Sequence, residues 1–177
     1  LQTDYIDLYQ FHNPSMEDFK KVLSAGGAME ALVQAKEQGK IGHIGLTAHS
    51  LAVFEEALNH PEIETIMFPY NIVENQGEEL IHRCKEQNVG FICMKPLAGG
   101  AIEDATLAIR YILQNDNVTV IIPGMAGLEE LAQNVEAAKN TQPLTAQEQN
   151  SIEKVRNQLG QNFCRRCNYC APCTVGI

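Results

Sequence analysis

Residues 28–50, AMEALVQAKEQGKIGHIGLTAHS, contain one complete repeat of the pattern that sets the fold. In the first half, Met29, Leu32 and Val33 recur at spacings of three and four, the period of an amphipathic helix. Gly39 follows where a left-handed residue ends such a helix. The second half, residues 40–48, is a short apolar run that predicts a strand, and Ser50 stands where it can cap the next helix. The alternation continues outward in both directions. Residues 3–12 (TDYIDLYQFH), 64–71 (ETIMFPYN), 89–96 (VGFICMKP) and 118–124 (VTVIIPG) read as further strands. Helical periods separate them, as at Leu107, Ile109, Tyr111 and Ile112, and Ser15 can cap a helix just after the first strand.

Runs that are apolar nearly throughout suit strands covered on both faces, the parallel arrangement that helical crossovers produce. The expected class is α/β. Pro14, Pro69, Pro96 and Pro123 sit at or just past the C-terminal ends of the predicted strands, where a missing N–H costs little. Function is expected at that rim. A (β/α)₈ TIM barrel takes roughly 250 residues, or about 30 per unit. The expected fold is a partial barrel of about five βα units, its N-terminal units missing and its sheet edges open. A self-contained five-stranded open sheet is the alternative. Residues 1–160 form the expected barrel portion, closing with a helix over 128–138 and another that starts at a capping box of Thr145 and Glu148. Residues 161–177 form a separate cysteine-rich segment.

The formal charge is −9, from 13 basic and 22 acidic residues, and no basic run interrupts it. That balance disfavours nucleic acid and anionic membrane surfaces and leaves a small molecule as the expected partner. Nothing approaches the ~20 apolar residues of a membrane span or resembles a secretory leader, so the expected compartment is the cytoplasm. The composition leaves the oligomeric state open.

Cys164, Cys167, Cys170 and Cys173 form a CxxCxxCxxC run. Consecutive CxxC steps bend a chain around one centre, so their thiolates suit a 4Fe-4S cluster, with tetrahedral zinc as the alternative. The last Cys of a ferredoxin run is usually spaced by three, which makes Cys173 the outlying ligand. Cys84 and Cys93 fall within a helix and a strand, where a thiol acts as a small hydrophobe.

Taken in order, DYIDLYQFHNP, GKIGHIGLTAHS, FPYNIVE, MKPLAGG and IPGMAGLEELAQNVEA resemble the C-terminal half of an aldo/keto reductase, in the branch that carries a C-terminal cysteine cluster. The resemblance implies a (β/α)₈ barrel that transfers a hydride between a nicotinamide cofactor, NAD(P)H, and a carbonyl or alcohol substrate. It also implies a catalytic Asp, Tyr, Lys, His tetrad, of which His12 matches the His; the other three lie on strands before Leu1, so this chain alone is expected to be inactive. On its own, His12 would read equally well as a capping group at a strand end.

The cofactor residues implied are Thr47 for the carboxamide, Met94 against the nicotinamide, Pro96 and Leu97 beneath the pyrophosphate, Gly124 near the ribose phosphate, and Asn134 at the adenine edge. Members that use NADPH commonly carry Lys and Arg where this chain has Gly124 and Glu130, so a strong NADPH preference is not expected. The rival reading is a non-enzymatic iron–sulfur module for electron transfer or redox sensing.

Overall fold

The computed structural model describes residues 2–160 and residue 164. The chain divides into two compact units. Unit 1 is Leu1–Phe68 with Gly77–Ile92, and unit 2 is Pro69–Gln76 with the residues from Cys93 onward.

Unit 1 carries β1 (Ile6–His12), α1 (Met16–Leu23), α2 (Ala28–Glu37), β2 (Ile41–Thr47), α3 (Leu51–Ala57), α4 (Glu78–Glu86) and most of β3 (Thr65–Pro69) and β4 (Gly90–Met94). Its strands follow one another in chain order, the order that successive βα units produce. β1 pairs parallel with β2, His12 opposite Thr47, and β2 pairs parallel with β3, Thr47 opposite Met67. These registers set Gln10, Gly45 and Thr65 side by side. A Cβ on Gly45 would lie 2.2 Å from Thr65 Oγ1 and 3.0 Å from Gln10 Cγ, so only glycine fits between them.

The predicted caps meet different fates. Ser15 accepts from the Asp18 N–H at 3.1 Å and starts α1, and Gly39, at φ 69°, terminates α2. Ser50 precedes α3 with no side-chain cap bond. Ile44, Leu46, Ile66 and Phe68 are buried, and the ring of Phe54, from α3, lies 5.1 Å from Phe68 and 5.9 Å from Phe91. β2 and β3 are largely buried, as expected for parallel strands. β1 departs from that expectation, with Asp7, Tyr9 and His12 exposed, because it has a ladder partner on one side only.

Unit 2 carries a 3₁₀ turn at Ala98–Gly100, α5 (Ala105–Leu113), β5 (Val120–Ile122), α6 (Leu128–Lys139) and α7 (Ala146–Leu159). β5 is shorter than its sequence signal, and Val120 and Ile122 stay nearly half exposed. Ile72, Ala98, Ile102, Leu107, Ala108 and Ile152 form the core, which holds α5, α7 and residues 69–76 together. Polar groups complete it. Buried Arg110 pairs with Glu148 at 2.5 Å and donates to the Asn140 and Pro143 carbonyls, closing the α6–α7 connection against α5. Arg156 donates to the Ile72 carbonyl at 3.0 Å and lies over the Tyr111 ring. The predicted capping box forms at Thr145 and Glu148. No helix among the described residues is long and apolar enough to cross a membrane.

Candidate functional site

In unit 1 the C-terminal ends of β1 and β2 bring four polar residues together. His12 Nδ1 lies 3.4 Å from Thr47 Oγ1. The Asn13 N–H donates to the same hydroxyl at 2.9 Å, and the Asn13 side-chain oxygen lies 3.1 Å from His49 Nδ1. Thr47 is buried and His12 exposed. A hydroxyl that accepts from Asn13 can still donate its proton to His12 Nδ1, which leaves the ring proton on Nε2. Parallel register is what places this hydroxyl beside the imidazole, since His12 and Thr47 are opposed residues of the ladder. Ala48 is buried, and its N–H donates to the Met67 carbonyl, tying the end of β2 to β3.

A larger cavity of unit 1, about 790 Å³, opens where the strands begin, beside His43, Glu64 and Thr65. Burial there favours a neutral Glu64. Its ion pair with Lys36, His43 Nδ1 at 2.9 Å and the Ile44 N–H at 3.2 Å outweigh that cost and hold the carboxyl below its usual range. None of the candidate catalytic, cofactor or metal residues read from the sequence lines this cavity.

Unit 2 has a cleft of about 550 Å³ lined by Lys95, Pro96, Leu97, Gly124, Glu130 and Asn134, among others. Four of the six candidate cofactor residues, Pro96, Leu97, Gly124 and Asn134, thus share one wall-to-wall space. Met94, the last residue of β4, is not among the lining residues, and Thr47 belongs to unit 1. Nothing comes within 4 Å of a Cβ built on Gly124, so open space adjoins that backbone. Glu130 accepts from the Ala126 N–H at 2.6 Å, which folds the loop before α6 back onto its first turn. The chain leaves β4 through Lys95 (φ 54°), Ala98 (51°), Gly99 (70°) and Gly100 (87°), left-handed residues of which Lys95 and Ala98 adopt that conformation only at a cost, and Lys95, Gly99 and Gly100 line the cleft.

Of the four clustered cysteines, Cys164 is half-buried, while Cys167, Cys170 and Cys173 lie outside the described residues. Among the described residues no group of three or more His, Cys, Asp or Glu side chains could hold a metal ion. Cys84 and Cys93 are buried thiols, and burial pushes each up to about 12, as befits groups packed as hydrophobes. Sequence reasoning missed the left-handed Lys95 and the buried amide of Asn71 behind it; FPYN signalled only that a strand was ending there.

Parallel βα units that gather polar side chains and a glycine-rich cleft at strand C-termini define the class of α/β proteins that keep their chemistry on that rim. The family model described as "Aldo/keto reductase family" matches residues 1–106 and 102–157. The chain therefore belongs to the aldo/keto reductase family. Among curated proteins it is 23% identical to the uncharacterized oxidoreductase YqkF of Bacillus subtilis, over 89% of this chain and 62% of that protein. It is 22% identical to L-galactose dehydrogenase of Arabidopsis thaliana, over 81% of this chain and 56% of that one. Among solved structures, the holo form of aldo-keto reductase AKR11C1 from Bacillus halodurans superposes with a TM-score of 0.71 at 27% identity, covering 87% of this chain and 62% of that one. The chain thus spans less than two thirds of the length of these relatives.

Proposed function

We propose that this chain is the C-terminal portion, about five units, of a (β/α)₈ nicotinamide-dependent oxidoreductase that interconverts a carbonyl and an alcohol. The observation that carries the reading is the unit 2 cleft, whose walls join Pro96, Leu97, Gly124 and Asn134. Its volume falls in the ordinary range for cofactor sites. Open space beside the bare backbone of Gly124 suits a nucleotide that approaches the main chain closely. When bound, the nicotinamide supplies or accepts the hydride.

The residues of this chain position the rest. Thr47 fixes the imidazole tautomer through Nδ1, and His12 Nε2–H then holds and orients the carbonyl oxygen. The Thr47 hydroxyl retains one lone pair for a carboxamide N–H. Met94 offers an apolar contact to the nicotinamide ring, Pro96 and Leu97 underlie the pyrophosphate, and Asn134 meets the adenine edge. Glu130 sets its carboxylate in the same cleft, where it repels a 2′-phosphate and removes a strong preference for NADPH.

The proposal extends to an iron–sulfur centre on Cys164, Cys167, Cys170 and Cys173, supported by four thiol donors at successive CxxC spacing. Such a centre relays electrons, senses redox state or secures the segment after α7.

The test is steady-state reduction of a carbonyl panel by the full-length protein, purified anaerobically with iron, sulfide and zinc analysis. The expected result is turnover with NADH at least comparable to NADPH, and a His12→Ala loss of about a hundredfold or more carried by kcat. This chain alone, with one tetrad position, is expected to turn over nothing. A strong preference for NADPH overturns the role of Glu130. An unaffected His12→Ala variant overturns the role of His12, and zinc without sulfide overturns the cluster.

A further inference from the structure

The side chain of Asn71 is fully buried in unit 2 and uses its whole hydrogen-bonding capacity. Oδ1 accepts from the Val73 N–H at 3.0 Å and the Glu74 N–H at 2.9 Å, closing a tight turn directly after β3. Nδ2 donates to Glu74 Oε2 at 2.9 Å and to the Lys95 carbonyl at 2.9 Å. That carbonyl is the hinge of the cleft wall. It also accepts from the Ala98 N–H at 2.9 Å, so both its lone pairs are engaged, one by the 95–98 turn and one by Asn71. The last main-chain bond before this point runs from the Tyr70 N–H to the Met94 carbonyl at 3.3 Å. Beyond it the main chain turns away, and the Asn71 side chain makes the next connection in its place.

Lys95 needs such a clamp. At φ 54° its backbone occupies a region costly for a residue with a Cβ, and strain of this kind persists only where surrounding bonds over-determine it. Pro96 and Leu97, which follow it, line the cleft.

We propose that Asn71 is a positioning residue for nucleotide binding: its buried amide holds the left-handed Lys95 carbonyl and so sets the path of the Lys95–Pro96–Leu97 wall. The inference rests on the reading of this cleft as the cofactor site and adds to it a determinant that touches no ligand.

Three substitutions, Asn71→Ala, Asn71→Asp and Lys95→Gly, test the clamp. Asn71→Asp keeps the acceptor for the Val73 and Glu74 N–H groups but replaces the donor with an oxygen facing both the Lys95 carbonyl and the Glu74 carboxylate. Lys95→Gly removes the conformational cost the clamp opposes. NADH affinity of the full-length protein is measured by calorimetry, with thermal unfolding as the check on folding. The expected result is a loss of about tenfold in affinity for Asn71→Ala and Asn71→Asp, the scale of one buried hydrogen bond. In a Lys95→Gly background the Asn71→Ala loss shrinks to about twofold or less, a non-additivity that a generally destabilised fold would not produce.

An Asn71→Asp protein that folds and binds NADH like the wild type overturns the inference. So does an Asn71→Ala loss of equal size in both backgrounds, which serves as the deciding measurement should Asn71→Asp not fold. A wild-type protein that binds neither NADH nor NADPH overturns the cofactor reading itself and this inference with it; binding by the wild type with unaltered variants overturns the inference alone.

Discussion

Rings fill the inside of unit 1, where Phe54 lies against Phe68 and Phe91, whereas hydrogen-bonded polar groups run through unit 2 at Asn71, Arg110 and Arg156. The first kind of packing is non-directional and tolerates small adjustments, and the strand register then sets where His12 and Thr47 meet. The second kind is directional. A buried amide or guanidinium either finds all its partners or leaves costly groups unpaired, so it can hold irregular backbone such as residues 95–100 in one path. A strand-end cluster on a regular ladder and a cleft built from loops call for these different supports.

Emptying the ring cluster should give the largest effect. Phe54→Ala is expected to cost about 3–5 kcal/mol, measured by denaturant unfolding, because a fully buried ring leaves a cavity between two others. It should leave the acid response of the Arg110–Glu148 pair unchanged, since that pair belongs to unit 2. There the Arg110 guanidinium, with the N–H and hydroxyl of Thr145 beside it, holds the Glu148 carboxyl down at about 2 from an ordinary 4.5. A depressed carboxylate contributes stability that is fully present above about 4.5 and lost as the pH falls through about 2. Unfolding midpoints recorded across that window should therefore fall with pH, and Glu148→Gln should flatten the fall while lowering the midpoint at neutral pH. Equal acid slopes in the two proteins would remove the Arg110 pair from the account. The smallest contrast lies within unit 1. Ser15→Ala should cost about 1 kcal/mol for a lost cap bond, whereas Ser50→Ala should stay within about 0.5 kcal/mol because no such bond is made.

These contrasts follow the line between what sequence expresses and what it hides. Ser15, Gly39 and the Thr145 box were legible because their partners sit within a turn of them. Ser50 read the same way, yet makes no side-chain cap bond. Arg110 reads as one more charge on a helix; its partners at Asn140, Pro143 and Glu148 lie 30 or more positions away, and only tertiary packing brings them in. Pro96, Leu97, Gly124 and Asn134 were legible through the family pattern, which records positions without stating why the wall bends there. That bend depends on a lysine in a conformation lysine ordinarily avoids, held by an amide 24 residues earlier, and neither residue type announces it.

The two inner thiols offer a way to watch each body separately. Cys84 belongs to unit 1 and Cys93 to unit 2, and both resist ionisation in the native state. An alkylating reagent near pH 8 should ignore each one until the structure around it opens, whereupon the sulfur becomes an ordinary nucleophile. Pulse labelling followed by peptide mass spectrometry would then time two opening events on one polypeptide. Matching rates would mean that the halves come apart as a single cooperative body; differing rates would show which half gives way first.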